Sequence, residues 1–155
     1  MEERARSQGL FQRLVRTEDR VAPLVARVAL GIVIFPHGAQ KLLGWFGGNG
    51  APTTVARFWE HFHLPPAITA LVICAEFFGS LGLIVGLLGR FAAFGIACVM
   101  AGAIALVHAR IGFFMNWTGK RAGEGFEFHL LALALALVVM LAGSGKASID
   151  RALSR

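Results

Sequence analysis

Long apolar stretches, interrupted at a few positions by charged or hydrogen-bonding side chains, set the plan of this chain. Apolar residues fill 21–43, 67–88, 91–114 and 126–142. About 20 such residues cross the hydrocarbon core of a bilayer as a helix, and the last stretch lies near the lower limit. The pattern predicts an all-α, integral membrane four-helix bundle. Pro23 suits the first turn of the first helix. Residues 44–50 (Gly-Trp-Phe-Gly-Gly-Asn-Gly) end it with glycines that tolerate unusual backbone angles. Val55, Phe58, Trp59 and Phe62 recur at helical spacing, which predicts a short helix over 53–63 lying in the membrane interface. Pro65 and Pro66 restart the chain into the second span. Gly89 and Arg90 form a tight turn, so the second and third spans are antiparallel neighbours. Ala75, Gly79, Gly82 and Gly86 on one, and Ala93, Ala97, Ala101 and Ala105 on the other, form small-residue stripes that let helices approach closely.

Residues 1–21 form a tail of mixed charge, in which Leu10, Phe11, Leu14 and Val15 have helical spacing. It reads equally as a surface helix and as a mobile tail. No cleavable signal peptide is evident. The four spans occupy 22–145, and 146–155 is a short polar tail.

Composition agrees with the pattern. Of 155 residues, 56% are hydrophobic, only 15% are charged and the mean hydropathy is +0.66, which is too apolar for an ordinary soluble domain. The net charge of +6 does not indicate nucleic acid, because the basic residues collect in the tails and at helix ends rather than in a basic stripe. Four spans place both termini on one side. That side carries nine Lys and Arg against four on the other, leaving out Arg27 and Lys41 within the first span. The positive-inside rule then predicts both termini in the cytoplasm, for a multi-pass protein of the bacterial inner membrane.

The exceptions to the apolar pattern carry the candidate chemistry. His37, Gln40 and Lys41 share one face in the last turns of the first span. Glu76 lies nine residues into the second, roughly 13 Å at helical rise. His108 lies near the end of the third, and Glu127 and His129 open the fourth. With alternating helix directions, all of these fall in the outer half, whereas the inner half has only Arg27 and Arg90 near its boundary. Ionisable groups in such segments usually face a bundle interior and mark functional sites. Glu76 and His37 are the candidate catalytic, proton-handling residues. Gln40, Lys41, His108, Glu127 and the interfacial Trp45 are the candidate ligand-binding residues. The bland reading is that Gln40, Lys41, Arg110 and Glu127 reach the headgroups by snorkelling and that Glu76 is ion-paired with Lys41 or a histidine.

Three chemistries suit such a pocket. A quinone headgroup needs donors for two carbonyls and a route for protons. A transition metal would use His37, His108, His129 and a carboxylate, although no paired histidine motif lies on one helix. A haem would need two facing histidines, such as His37 and His108. Cys74 and Cys98 are too few for a disulfide framework. Counted along their helices they differ in depth by roughly 10 Å, too far for a bridge.

The ordered motifs resemble the DoxX family of small membrane proteins. They are Arg-Val-Ala-Leu-Gly at 27–31, His-Gly-Ala-Gln-Lys at 37–41 and Gly-Trp-Phe-Gly-Gly at 44–48. Ala-Glu-Phe-Phe-Gly follows at 75–79, residues 103–108 lead into Gly-Phe-Phe at 112–114, and Glu-Gly-Phe-Glu occupies 124–127. Gly-Ser-Gly at 143–145 and Ser-Ile-Asp at 148–150 end the set, which covers about 22–150. The resemblance implies a four-helix membrane protein of a family usually described as oxidoreductases. It is related to the DoxD proteins, which form part of a thiosulfate:quinone oxidoreductase. Members are tied to quinone or catechol resistance, or to membrane assemblies that handle oxidative and thiol stress. The family supplies no settled catalytic residues. Two functions are thereby expected, a quinone-linked redox subunit or a non-catalytic anchor for soluble redox or stress enzymes, with a partner protein or further copies of the chain in the membrane.

Overall fold

The computed structural model describes residues 10–154, with the side chains of Leu10, Phe11 and Arg13 outside the description. The basic positions Arg4, Arg6 and Arg155, which enter the orientation count, lie outside the described residues. Every regular element among the described residues is helical: α1 (Leu10–Val15), α2 (Val21–Leu43), α3 (Gly50–Phe62), α4 (Pro66–Val85), α5 (Gly89–Leu106), a 3-10 turn (His108–Arg110), α6 (Glu127–Ala142) and α7 (Ile149–Leu153). Helices α2, α4 and α5 are long and apolar enough to cross a membrane. Helix α6 is equally apolar but has 16 residues, or about 24 Å.

These four helices form the bundle, α2 packing on α4 and α6, and α5 on α4 and α6. Leu30, Ile34, Leu83, Ala93, Ile96, Ala136 and Val139 meet at its centre, all essentially inaccessible. Leu71, Phe78, Phe91, Phe94, Leu131 and Leu141 point outward and remain exposed. An apolar periphery around a close-packed core is the arrangement a bilayer solvates, so the chain is a membrane protein with transmembrane helices.

Local chemistry explains the helix ends. Pro66 occupies the first turn of α4, where its missing N–H has no helical partner to lose. Gly44 and Gly86 close α2 and α4 in the left-handed region, at φ 75° and 72°. A side chain is disfavoured there. Glycine also sets the α2–α4 approach: a Cβ on Gly38 would collide with the backbone of Glu76 and Phe77, and one on Gly31 with the Ser80 carbonyl.

The third apolar stretch does not stay helical as far as 114. Helix α5 ends at Leu106 and the chain tightens into the 3-10 turn that carries His108. The amides of Phe126 and Glu127 then bond to the carbonyls of Gly112 and Phe113, folding 111–126 back over the end of the bundle. Of the face expected on the interfacial helix, Val55, Phe58 and Phe62 are half-buried against the bundle, while Trp59 is 54% exposed.

The depths of the cysteines also need correction. A Cβ on Gly95 would touch the Ala75 side chain, and one on Gly79 would meet the Ala92 carbonyl. In that antiparallel register Cys74 and Cys98 lie at nearly the same level rather than roughly 10 Å apart. Both thiols are exposed and unbridged.

The end of the bundle that carries both chain tails holds a polar node that hydropathy understated. Arg27 is 1% exposed. Its Nε donates to the Ser144 carbonyl at 2.7 Å, Nη1 to those of Leu83 and Ile84 at 2.7 and 2.6 Å, and Nη2 to those of Lys146 and Ala147 at 3.2 and 2.7 Å. All five guanidinium N–H groups are thereby used. Asp150, also 1% exposed, accepts from the Leu88 and Gly89 amides at 2.7 and 2.9 Å and from the Ser144 hydroxyl at 2.5 Å. One carboxylate thus caps α5 and holds the turn after α6, and one guanidinium ties the end of α4 to that turn.

Candidate functional site

The candidate residues form two polar groups at the end of the bundle opposite Arg27. The first lies between α2 and α4. Lys41, in the last turn of α2, donates from Nζ to Glu76 Oε2 at 2.6 Å. The Glu76 side chain is 4% exposed and that of Lys41 24%. The two meet because Gly38 lets α2 settle directly on the Glu76–Phe77 backbone. Gly38 lies five residues before the end of α2, so Glu76 sits only about 8 Å below that end. Counting from the start of α4 overstates its depth, because α4 rises past α2 to pack against α3. His37, one turn before Lys41, stays open on the surface of α2. The Phe35 and Phe77 rings pack beside the pair, 5.6 Å apart.

The remaining candidates on this side have structural partners. Gln40 donates its amide to the Phe46 carbonyl at 3.1 Å and holds the glycine-rich turn. Thr54 donates to the carbonyls of Lys41 and Gly50 and docks α3 on α2. Trp45 is 54% exposed and stands at the rim. Between α2 and α3 lies an open cavity of about 240 Å³, lined among others by Gln40, Lys41, Gly48, Asn49, Thr54 and Arg57.

The second group lies between α6 and the 107–126 segment. The His108 and His129 rings stack with centroids 4.1 Å apart and a 41° tilt. His129 is 7% exposed, and its Nδ1 is buried without a hydrogen-bond partner. His108 Nδ1 lies 2.7 Å from the Glu124 carbonyl. Glu127 organises the loop: its Oε1 accepts from the Met115 amide at 2.9 Å and from Trp117 Nε1 at 3.1 Å. Phe128 lies between the two groups, with ring centroids 6.3 Å from His37 and 5.5 Å from His129.

The structure therefore joins Lys41 to Glu76, with His37 one turn earlier on α2, and separately joins His108 to His129. The facing pair expected for a haem, His37 and His108, does not form: His108 stacks on His129, and Phe128 stands beside His37. Two imidazoles sharing an ion at about 2.0–2.1 Å need their centroids roughly 5 Å or more apart, so the stacked pair is not a ligating one. Among the described residues, no group of three or more His, Cys, Asp or Glu side chains is placed to hold a metal ion. His129, placed by the sequence at the start of the fourth span, is the buried member of its pair. Arg57, absent from the sequence-derived candidates, lines the cavity beside Lys41. The sequence signal for it is weak, a single cation four residues after Thr53 on a helix next to the glycine-rich turn.

The arrangement has known relatives at the level of family. No curated protein matches the chain, and no solved structure does. The family model described as DoxX matches residues 22–109. That match runs from the start of α2 past the end of α5, and so includes Arg27, the Lys41–Glu76 pair, the glycine-rich turn and His108. It covers more than half of the sequence, and the chain belongs to the DoxX family.

Proposed function

We infer that this DoxX protein is a redox-related subunit of the bacterial inner membrane that works with a quinone-like molecule, both termini lying in the cytoplasm and the polar groups in the outer half. The observation that carries this reading is the buried Lys41–Glu76 pair with His37 open beside it. Buried ion pairs are weak devices for stability, and intramembrane ionisable residues usually mark substrate or proton routes. In this reading Glu76 and His37 exchange protons with a ligand carbonyl. Lys41 fixes the Glu76 carboxylate and polarises the ligand, and Gln40 acts at one remove by holding the glycine-rich turn. His108 and Glu127 shape the far wall.

The test is quinone reduction, or growth under quinone stress, in membranes carrying Glu76→Gln or His37→Ala. Both substitutions are expected to abolish the activity while the protein still accumulates in the membrane. Full activity in both variants overturns the reading.

A second reading is favoured by how fully Gln40, Lys41, Glu76 and Glu127 are engaged with other protein groups. Side chains so engaged serve helix packing, and the chain is then a non-catalytic anchor for soluble redox or stress enzymes. Purification in mild detergent separates the two. Bound quinone supports the first, whereas a stoichiometric soluble partner with no bound quinone supports the second.

A further inference from the structure

The cavity between α2 and α3 has a chemistry that a quinone slot does not need. Two cations from different helices line it, Lys41 and Arg57, together with the polar turn of Gly47, Gly48 and Asn49. No acidic side chain lines it, and Phe58 is its one aromatic wall. Lys41 spends one of its three N–H groups on Glu76. Arg57 is exposed and forms no ion pair among the described residues. Asn49 makes no capping bond to α3, so its amide is uncommitted there. Gly48 lies so close to Gln40 that any Cβ would strike the Gln40 backbone. That close approach keeps the wall flat and the cavity open.

An arginine, a lysine with two further N–H groups and a side-chain amide gather several N–H donors around one concavity, with no carboxylate among its lining side chains. Such a set matches an oxyanion with several acceptor oxygens, and guanidinium groups bind phosphate with particular strength. The position of the cavity selects the source. Trp45, Phe46 and Trp59, close in sequence to the lining residues Gly47 and Phe58, are exposed at 54%, 63% and 54%, and the first two follow the end of α2 at Leu43. Aromatic residues at the end of a span mark the headgroup level of a bilayer.

We propose that the α2–α3 cavity binds the phosphate of an anionic membrane lipid, with Arg57 and Lys41 as its charged contacts. The site shares Lys41 with the redox reading, and its test turns on Arg57, which takes no part in that reading.

The experiment uses the full chain, delipidated in mild detergent, and follows thermal unfolding during titration. The probes are phosphatidylglycerol, phosphatidylcholine with the same acyl chains, and inorganic phosphate. Phosphatidylglycerol is expected to raise the unfolding temperature saturably, and phosphatidylcholine is not. Arg57→Gln is expected to shift the midpoint roughly tenfold higher, the equivalent of about 1.4 kcal/mol. Arg57 is exposed and unpaired, so this variant folds as the parent does. Arg121→Gln, on the 111–126 loop at the same end of the bundle but outside the cavity lining, is the control for general surface attraction and leaves the midpoint unchanged. A saturable, Arg57-dependent response to inorganic phosphate alone keeps the oxyanion chemistry and assigns it to a free ion instead of a lipid. The proposal is overturned if no probe gives an Arg57-dependent response, if phosphatidylcholine acts as phosphatidylglycerol does, or if Arg121→Gln weakens binding as much as Arg57→Gln.

Discussion

Replacing Lys41 by Met tests whether the central ion pair is a stability element or a functional one. Its Nζ lies 2.6 Å from Glu76 Oε2, and the Glu76 side chain is 4% exposed. Removing one member of a buried pair leaves the other charge uncompensated, which costs about 3–5 kcal/mol. Lys41 is a quarter exposed and opens on the α2–α3 cavity, so water relieves part of that cost and the lower end, about 3 kcal/mol, is the expected loss. Glu76→Met leaves an ammonium that swings into the cavity, and about 2 kcal/mol is expected. The double variant removes both charges along with their desolvation penalty, and its stability should return to within about 1 kcal/mol of the parent. The cycle then gives a coupling of roughly 4–6 kcal/mol in favour of the pair. Equilibrium unfolding in micelles, read by tryptophan fluorescence, measures all four proteins. Additive single-variant losses would refute the pairing. Redox activity returning together with stability in the double variant would refute the functional role of Glu76.

Two further predictions concern other parts of the fold. Arg27→Met strands five backbone carbonyls that now share one guanidinium and should destabilise the protein by about 3–5 kcal/mol; an unfolding midpoint close to that of the parent would show that the polar node does not hold the bundle together. Glu127→Ala removes the acceptor for the Met115 amide and Trp117 Nε1 and should speed tryptic cleavage at Lys120 and Arg121 several-fold, with little change in global unfolding; an unchanged cleavage rate would sink the assignment of Glu127 as organiser of that loop.

How much of the site was legible differs residue by residue. The ion pair was half-visible. Sequence placed Lys41 and Glu76 in one half of the bundle, and their direct contact depends on Gly38 seating α2 on the Glu76 backbone. Glu127 was visible only as a polar residue at a helix start, and its engagement with the 111–126 loop follows from the early end of α5. Arg27 looked nearly alone because its partners are carbonyls, which every residue carries and no sequence pattern marks. Three of those carbonyls come from residues 117 to 120 positions away. One clue was available, in that topology places Asp150 at the same end as Arg27.

By itself the sequence determined the class, the helices and the end of the bundle to which each polar residue belongs. Those properties follow from local hydropathy, from the 3.6-residue period and from proline and glycine at the helix ends, all of which act within a few residues. Tertiary structure alone decided partnership. It set Lys41 against Glu76 and His108 against His129, put Phe128 beside His37, opened a cationic cavity next to Arg57 and gathered five carbonyls around Arg27. Partners are chosen by helix register and by how closely two backbones can approach. Both depend on contacts far apart in the chain, which residue types and their spacing do not encode.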